Sequence, residues 1–150
     1  NNYYLIKGVD IMLGTPDLLR SKGLKVTPQR IAIMDMLMNT YEHPTAETIF
    51  RTLAPTNPTM SLATVYKTLD AFNQANLIQA LTIDGESLHY DYNTEFHPHI
   101  ICEKCHSVKD INVDINSEIS KIVEKVNSKT NHNINKTQLF FYGTCDDCLK

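Results

Sequence analysis

Apolar residues recur at helical spacing through the first half of the chain. Asp17 to Lys22 makes a weak first helix. Thr27-Pro28 is a stronger start signal, with Thr as N-cap and Pro at the first helical position, and Ile31, Met34 and Leu37/Met38 then share one face. Thr45 caps a third helix carrying Ile49, Phe50 and Leu53, and Pro55 and Pro58 break the chain after it. Ser61 caps a fourth helix that runs to about Asn76. Leu62, Val65, Leu69 and Phe72 form its inner stripe, Thr64 and Lys67 the opposite side, and Ala63 and Tyr66 a flank.

The period then changes to two. Strands are expected near Ile78–Ile83 and Leu88–Tyr92, with Asp84-Gly85 as the turn between them. Leu88, Tyr90 and Tyr92 share one face of the second strand, and His89 and Asp91 the other. Helices followed by a hairpin predict a winged helix-turn-helix, with the fourth helix entering the major groove. Beyond it, His99–Cys102 and Val108–Val113 read as strands. Ser117 caps a helix with Ile119, Ile122/Val123 and Val126 inward, and a polar stretch from Asn127 to Asn135 leads to a last strand, about Thr137–Tyr142. The fold class expected is α+β: a winged-helix domain over 1–93, including an N-terminal extension over 1–16 read as a frayed end, and a small α/β domain over 94–150.

Composition narrows the function. A chain of 150 residues with 42% hydrophobic content supports a real core. No apolar run reaches the roughly 20 residues that cross a bilayer, and no signal peptide is evident, so the expected compartment is the cytoplasm. Net charge is −3, and composition alone does not point to nucleic acid. The charge is uneven, however: residues 1–74 hold 7 Lys/Arg against 6 Asp/Glu, the remainder 7 against 11. The clearest basic cluster is Arg20, Lys22, Lys25 and Arg30.

The chemistry lies in two donor sets. Cys102/Cys105 and Cys145/Cys148, the chain's 4 cysteines, form two Cys-x-x-Cys units. In a reducing compartment these hold metal rather than disulfides, and four thiolates fill a tetrahedral zinc site with no position left open. A redox Cys-x-x-Cys is the rival, but two matched copies argue against it. His43, Asp91, His97, His99 and Asp110 make a second set, whose nitrogen and oxygen donors suit Fe(II), Mn(II) or Zn(II). Taken singly, His43, Asp91 and Asp110 also read as ordinary loop or surface positions.

Several motifs occur in order: Lys25-Val26-Thr27-Pro28-Gln29-Arg30, His43-Pro44-Thr45-Ala46, Met60-Ser61-Leu62-Ala63-Thr64-Val65-Tyr66, His97-x-His99-x-x-Cys102-x-x-Cys105 and Tyr142-Gly143-x-Cys145-x-x-Cys148. From about residue 17 onward the chain resembles the ferric uptake regulator family of bacterial metal-dependent repressors. The resemblance implies a homodimer that binds a palindromic double-stranded operator, with a C-terminal dimerisation domain. It implies structural zinc on Cys102, Cys105, Cys145 and Cys148. It also implies a regulatory Fe(II) or Mn(II) site between the domains on His43, Asp91, His97, His99 and Asp110. Tyr66 matches the recognition-helix tyrosine, and Arg20, Lys22, Lys25, Arg30, Ser61, Thr64 and Lys67 are the other expected DNA contacts.

Asp at both acidic positions, and a histidine run of only His97-Pro98-His99, resemble the peroxide-sensing branch of the family. There Fe(II) turns hydrogen peroxide on the ligands: His43 or His97 is oxidised to 2-oxo-histidine, iron leaves and DNA is released, whereas Mn(II) supports DNA binding without that reactivity. This is sacrificial chemistry without turnover, so no enzyme is expected. An iron- or zinc-responsive uptake repressor is the alternative within the family. A zinc or thiol-redox enzyme, or a zinc-stabilised module that binds no DNA, are alternatives outside it. Pro98, His89, His132 and His106 (at a position usually Gly) depart from the family pattern.

Overall fold

The computed structural model describes residues 4–6, 9–83 and 87–150, and the side chains among these from residue 14 onward. The chain divides into two compact units, Asn1–Thr94 and Glu95–Lys150.

The first unit opens with an antiparallel pair, β1 (Tyr4–Ile6) and β2 (Val9–Leu13), where a frayed end is expected from the sequence. The alternation of Val9, Ile11 and Leu13 suits a strand. Four helices follow. Helix α1 spans Thr15–Ser21, two residues earlier than expected, and the Thr15 hydroxyl bonds Asp35 of the next helix. Gly23 (φ 71°) ends it: the amide of Leu24 bonds back to the Leu19 carbonyl at 3.0 Å and that of Gly23 to Arg20 at 2.9 Å.

The other three helices begin where a side-chain oxygen meets a free amide. Thr27 accepts from the Arg30 amide at the start of α2 (Pro28–Met38), Thr45 from Thr48 before α3 (Ala46–Leu53), and Ser61 from Thr64 before α4 (Leu62–Gln74). A short 3₁₀ turn, Ala54–Thr56, follows α3. Asn76 (φ 53°) closes α4 as Gly23 closes α1, with the Leu77 amide bonded to the Phe72 carbonyl at 2.9 Å.

One core joins these helices. Ile33, Met34, Leu37, Ile49, Val65, Leu69 and Phe72 are buried together, and each large apolar side chain contributes about 1.5–3 kcal/mol by leaving water. Val65, Leu69 and Phe72 form the α4 stripe; Leu62 is only partly covered and Thr68 takes a buried place beside them. Strands β3 (Gln79–Thr82) and β4 (Leu88–Asp91) make the wing, paired Gln79↔Asp91 through Thr82↔Leu88. Of the face expected to be apolar, Tyr90 is buried and Leu88 is exposed. The expected Asp84-Gly85 turn lies outside the described residues. The unit is a winged helix-turn-helix.

The second unit is a three-stranded sheet with strand order β6–β5–β7 and two helices. Strand β5 (His99–Cys102) pairs antiparallel with β6 (Val108–Asp110) and parallel with β7 (Phe140–Gly143). Parallel pairing requires a crossover, supplied by α5 (Asn116–Thr130), and α6 (Asp146–Leu149) ends the chain. Helix α5 is capped by Ile115, not by Ser117, which lies inside it. Its apolar stripe is covered only in part: Ile119 and Val123 are half-buried, whereas Ile122 is 54% and Val126 39% exposed, and no residue of the helix is fully buried. Lys121, Glu124 and Lys125 occupy other faces, so the helix is amphipathic, with the Ile122/Val126 edge of its apolar face turned outward.

Candidate metal centres and nucleic-acid interface

The register of β5 and β7 builds the cysteine cluster. Cys102 lies beside Gly143, and the Glu103 amide donates to the Gly143 carbonyl at 2.8 Å, so both Cys-x-x-Cys turns fall at the same sheet end. Cys145 starts α6, and the amides of Cys148 and Leu149 bond to its carbonyl. The four sulfurs lie within 4.8 Å of one another. Cys105 Sγ and Cys145 Sγ are 3.8 Å apart. Zinc–sulfur bonds of about 2.3 Å at tetrahedral angles require a separation of roughly 3.8 Å.

Hydrogen bonding lowers two of these thiols and raises a third. The amides of Cys105 and Cys145 pull the Cys102 thiol down to about 6. The Ser107 hydroxyl, 3.2 Å from Cys105 Sγ, lowers Cys105. Cys148, hydrogen-bonded to Cys145 and Cys105, is pushed up to about 12. Four soft donors at this spacing fit zinc and leave no open position. His106 closes the first turn with φ 59°, its amide bonded to the Cys102 carbonyl at 2.8 Å. That left-handed backbone explains why Gly suits this position.

The nitrogen and oxygen donors occur as a pair in the first unit and a trio in the second. In the first, His43 Nε2 lies 3.7 Å from Asp91 Oδ2, with His43 5% and Asp91 8% exposed. The loop that carries His43 is tied to β4: the Tyr90 amide donates to the Pro44 carbonyl at 3.1 Å, Thr45 bridges to His89, and His89 Nδ1 lies 2.8 Å from the His43 carbonyl. Asp91 is held from two sides. Gln79 Nε2 donates to Oδ2 at 3.0 Å and the Asn93 amide to Oδ1 at 2.8 Å. Gln79 also donates to the Asn93 carbonyl at 2.7 Å, which fixes its amide orientation.

In the second unit, antiparallel register sets His99 opposite Asp110. His97 and His99 both face that carboxylate: His97 Nε2 is 3.2 Å and His99 Nε2 3.5 Å from Asp110 Oδ1, and the rings are 4.4 Å apart. His97 Nδ1 lies 2.8 Å from the Glu95 carbonyl. A proton on Nδ1 there leaves Nε2 as the nitrogen available to a metal. Pro98 between them costs no sheet bond, because it precedes β5 and its carbonyl accepts from the Ile111 amide at 2.8 Å. Imidazole and carboxylate at these distances fit a borderline divalent ion such as Fe(II), Mn(II) or Zn(II).

The expected DNA contacts fall into two groups. Lys22, Lys25 and Lys67 are exposed. Others already have internal partners: Arg20 Nη1 bonds Asp17 at 2.6 Å, Arg30 Nη1 donates to the Lys25 carbonyl at 3.0 Å, and Ser61 Oγ lies 2.9 Å from Thr64 Oγ1 while capping α4. Tyr66, 40% exposed, donates its hydroxyl to Glu47 Oε1 of α3 at 2.5 Å. That bond raises the Tyr66 phenol and lowers the Glu47 carboxyl relative to their ordinary values. His132 Nδ1 lies 2.7 Å from the nearby Thr130 carbonyl, on an exposed segment just after α5. Sequence reasoning missed Gln79 and Glu47. The period-two pattern carried the signal for Gln79, since the register that sets it opposite Asp91 follows from the hairpin; nothing in the sequence marked Glu47.

A model of the ferric uptake regulator family matches residues 21–142. The peroxide-responsive repressor PerR of Staphylococcus epidermidis is 36% identical over 130 residues, covering 87% of this chain and 85% of that protein. Among solved structures, the ferric uptake regulator of Francisella tularensis with iron superposes with a TM-score of 0.71 at 28% identity, covering 85% of this chain and 96% of that one. The Campylobacter jejuni peroxide stress regulator does so with a TM-score of 0.68 at 27% identity, covering 88% and 97%.

Proposed function

The chain belongs to the ferric uptake regulator family, and from that premise we propose that it is a metal-dependent repressor of peroxide-stress genes that acts in the cytoplasm. The observation that carries this reading is the contrast between its donor sets. Four thiolates make a closed zinc-type site, whereas three imidazoles and two carboxylates make a second donor group of different chemistry. His43 and Asp91 from the first unit, and His97, His99 and Asp110 from the second, would hold one regulatory ion. An ion that binds better when these five converge favours that arrangement of the units by its differential affinity.

The partner proposed is a second copy of the chain. Ile122 and Val126 on α5, with Ile100 (43% exposed) and Phe141 (47% exposed) on the sheet, give the second unit outward apolar surface suited to a self-complementary interface. Two winged helices fixed by such a dimer match a palindromic operator, with α4 in the major groove. Lys22, Lys25 and Lys67, with Arg20 and Arg30, would neutralise phosphates and make binding salt-dependent.

Bound Fe(II) supplies the activation of peroxide, and Mn(II) in its place supports DNA binding without it. The oxidised groups are the chain's own imidazoles, His43 or His97. One peroxide oxygen enters at Cε1 to give 2-oxo-histidine, and the other leaves as water. The change removes a ligand, so the preference for the DNA-binding arrangement goes with it. Each histidine reacts once, so there is no turnover. Asp at both acidic positions, and the PerR relative at 36% identity, favour this branch over the iron- and zinc-uptake repressors.

The test is selection of duplexes from a randomised DNA pool by the zinc-replete protein loaded with Fe(II), Mn(II) or Zn(II). An inverted repeat retained with Fe(II) or Mn(II), and released by peroxide only with Fe(II), is the expected result. Retention that peroxide leaves intact would point to an uptake repressor, and no enrichment with any ion would overturn the repressor reading.

A further inference from the structure

We propose that Glu47 is a specificity-determining residue of the DNA interface: it positions Tyr66 and keeps the tyrosine hydroxyl from being used on phosphate. The inference rests on the DNA-binding reading above. Glu47 lies in the first turn of α3 and Tyr66 in the second turn of α4, so the bond joins the two helices of the helix-turn-helix. Both side chains are exposed, and neither is needed to fill the core. The phenol gives its single proton to Glu47.

Two consequences follow. The ring is held before DNA arrives, so docking spends less side-chain entropy on ordering it. The hydroxyl, with its proton committed, meets the duplex only as an acceptor, so it cannot donate to a phosphate oxygen. Phosphate contacts strengthen binding to any sequence, whereas ring and acceptor contacts to base edges discriminate. Glu47 itself carries a negative charge toward a polyanion, which further lowers sequence-independent affinity. This bond is the main reason that the Glu47 carboxyl lies below, and the Tyr66 phenol above, its ordinary value.

The test uses the full-length dimer with zinc and Mn(II), the duplex selected by wild type from the randomised pool, and a scrambled duplex of equal length. Glu47→Ala is expected to lower the ratio of selected to scrambled affinity about tenfold, the size of one lost base contact, with scrambled binding stronger than in wild type. Glu47→Gln keeps an acceptor oxygen for the phenol while removing the charge, and is expected to hold the ratio within about threefold. Tyr66→Phe breaks the same bond from the other side, and is expected to lower the ratio without strengthening scrambled binding. Circular dichroism should report wild-type folding for all three, since the pair lies outside the core.

An unchanged ratio in Glu47→Ala would overturn the inference and leave the repressor reading standing. Equal loss in Glu47→Ala and Glu47→Gln would overturn it too, by assigning the effect to charge alone. Absence of any selective binding by wild type would overturn the repressor reading, and this inference with it.

Discussion

The four cysteines and the five imidazole and carboxylate donors differ first in where they stand in the chain. All four thiols belong to the second unit, gathered at one sheet end by the pairing of β5 with β7. The other donors are divided: His43 and Asp91 belong to the first unit, His97, His99 and Asp110 to the second. A cluster contained in one unit can stabilise that unit and nothing else. If one ion is held by donors from both units, as proposed, ion binding and domain arrangement become one equilibrium. The donor chemistry runs parallel: soft thiolates close a tetrahedral site, whereas mixed nitrogen and oxygen donors accept ions that exchange.

Breaking the cysteine cluster should have the largest effect. Cys145→Ser, or strong chelation, is expected to unfold the second unit. Structural zinc supplies on the order of 10 kcal/mol in small zinc modules, more than a unit of this size can replace. Zinc content and thermal melting followed together would check this, and a zinc-free protein with unchanged melting would remove the contrast.

The next effect concerns the outward face of α5. Ile122→Asp is expected to convert the proposed dimer to monomer in sedimentation experiments, with zinc content unchanged. A charge placed in a buried apolar interface costs several kcal/mol.

A smaller effect is expected at the supports of the divided set. Gln79→Ala should weaken Mn(II) binding by about ten- to a hundredfold, as removal of a ligand's hydrogen-bond partner does, without loss of zinc. Titration of Mn(II) by electron paramagnetic resonance would measure it. Unchanged affinity would mean that the Asn93 amide alone orients Asp91. The smallest effect belongs to His106→Gly. Relief of its left-handed backbone (φ 59°) should stabilise the zinc-loaded protein by about 1 kcal/mol in denaturant melts.

Much of this was legible in the sequence, and the gaps have physical reasons. Thr27, Thr45 and Ser61 announced three helix starts because a cap is a local hydrogen bond that needs no tertiary partner. His99–Cys102 was legible because both ends of the strand are marked by chemistry. The α5 stripe was seen, yet only its Ile119/Val123 side is partly covered: periodicity says that a helix has an apolar face, not what covers it. Helices α4 and α5 carry similar stripes, but Val65, Leu69 and Phe72 are buried while Ile122 and Val126 are not. Among the site residues, the cysteines were plain from spacing alone, whereas His43 and Asp91 are single residues that only folding and the family resemblance bring to notice. His89 was legible only as a residue on the face of Asp91; its Nδ1 meets the His43 carbonyl, a contact between residues 46 apart in the chain.

The central claim is that the divided donor set reads peroxide through its own histidines. The most direct test is peptide mass spectrometry of zinc-replete protein loaded with Fe(II) or with Mn(II) and exposed to low peroxide. One added oxygen on the peptide bearing His43 or His97, with iron and not with manganese, is the expected result. Unmodified histidines on a protein shown to hold Fe(II) throughout would contradict it.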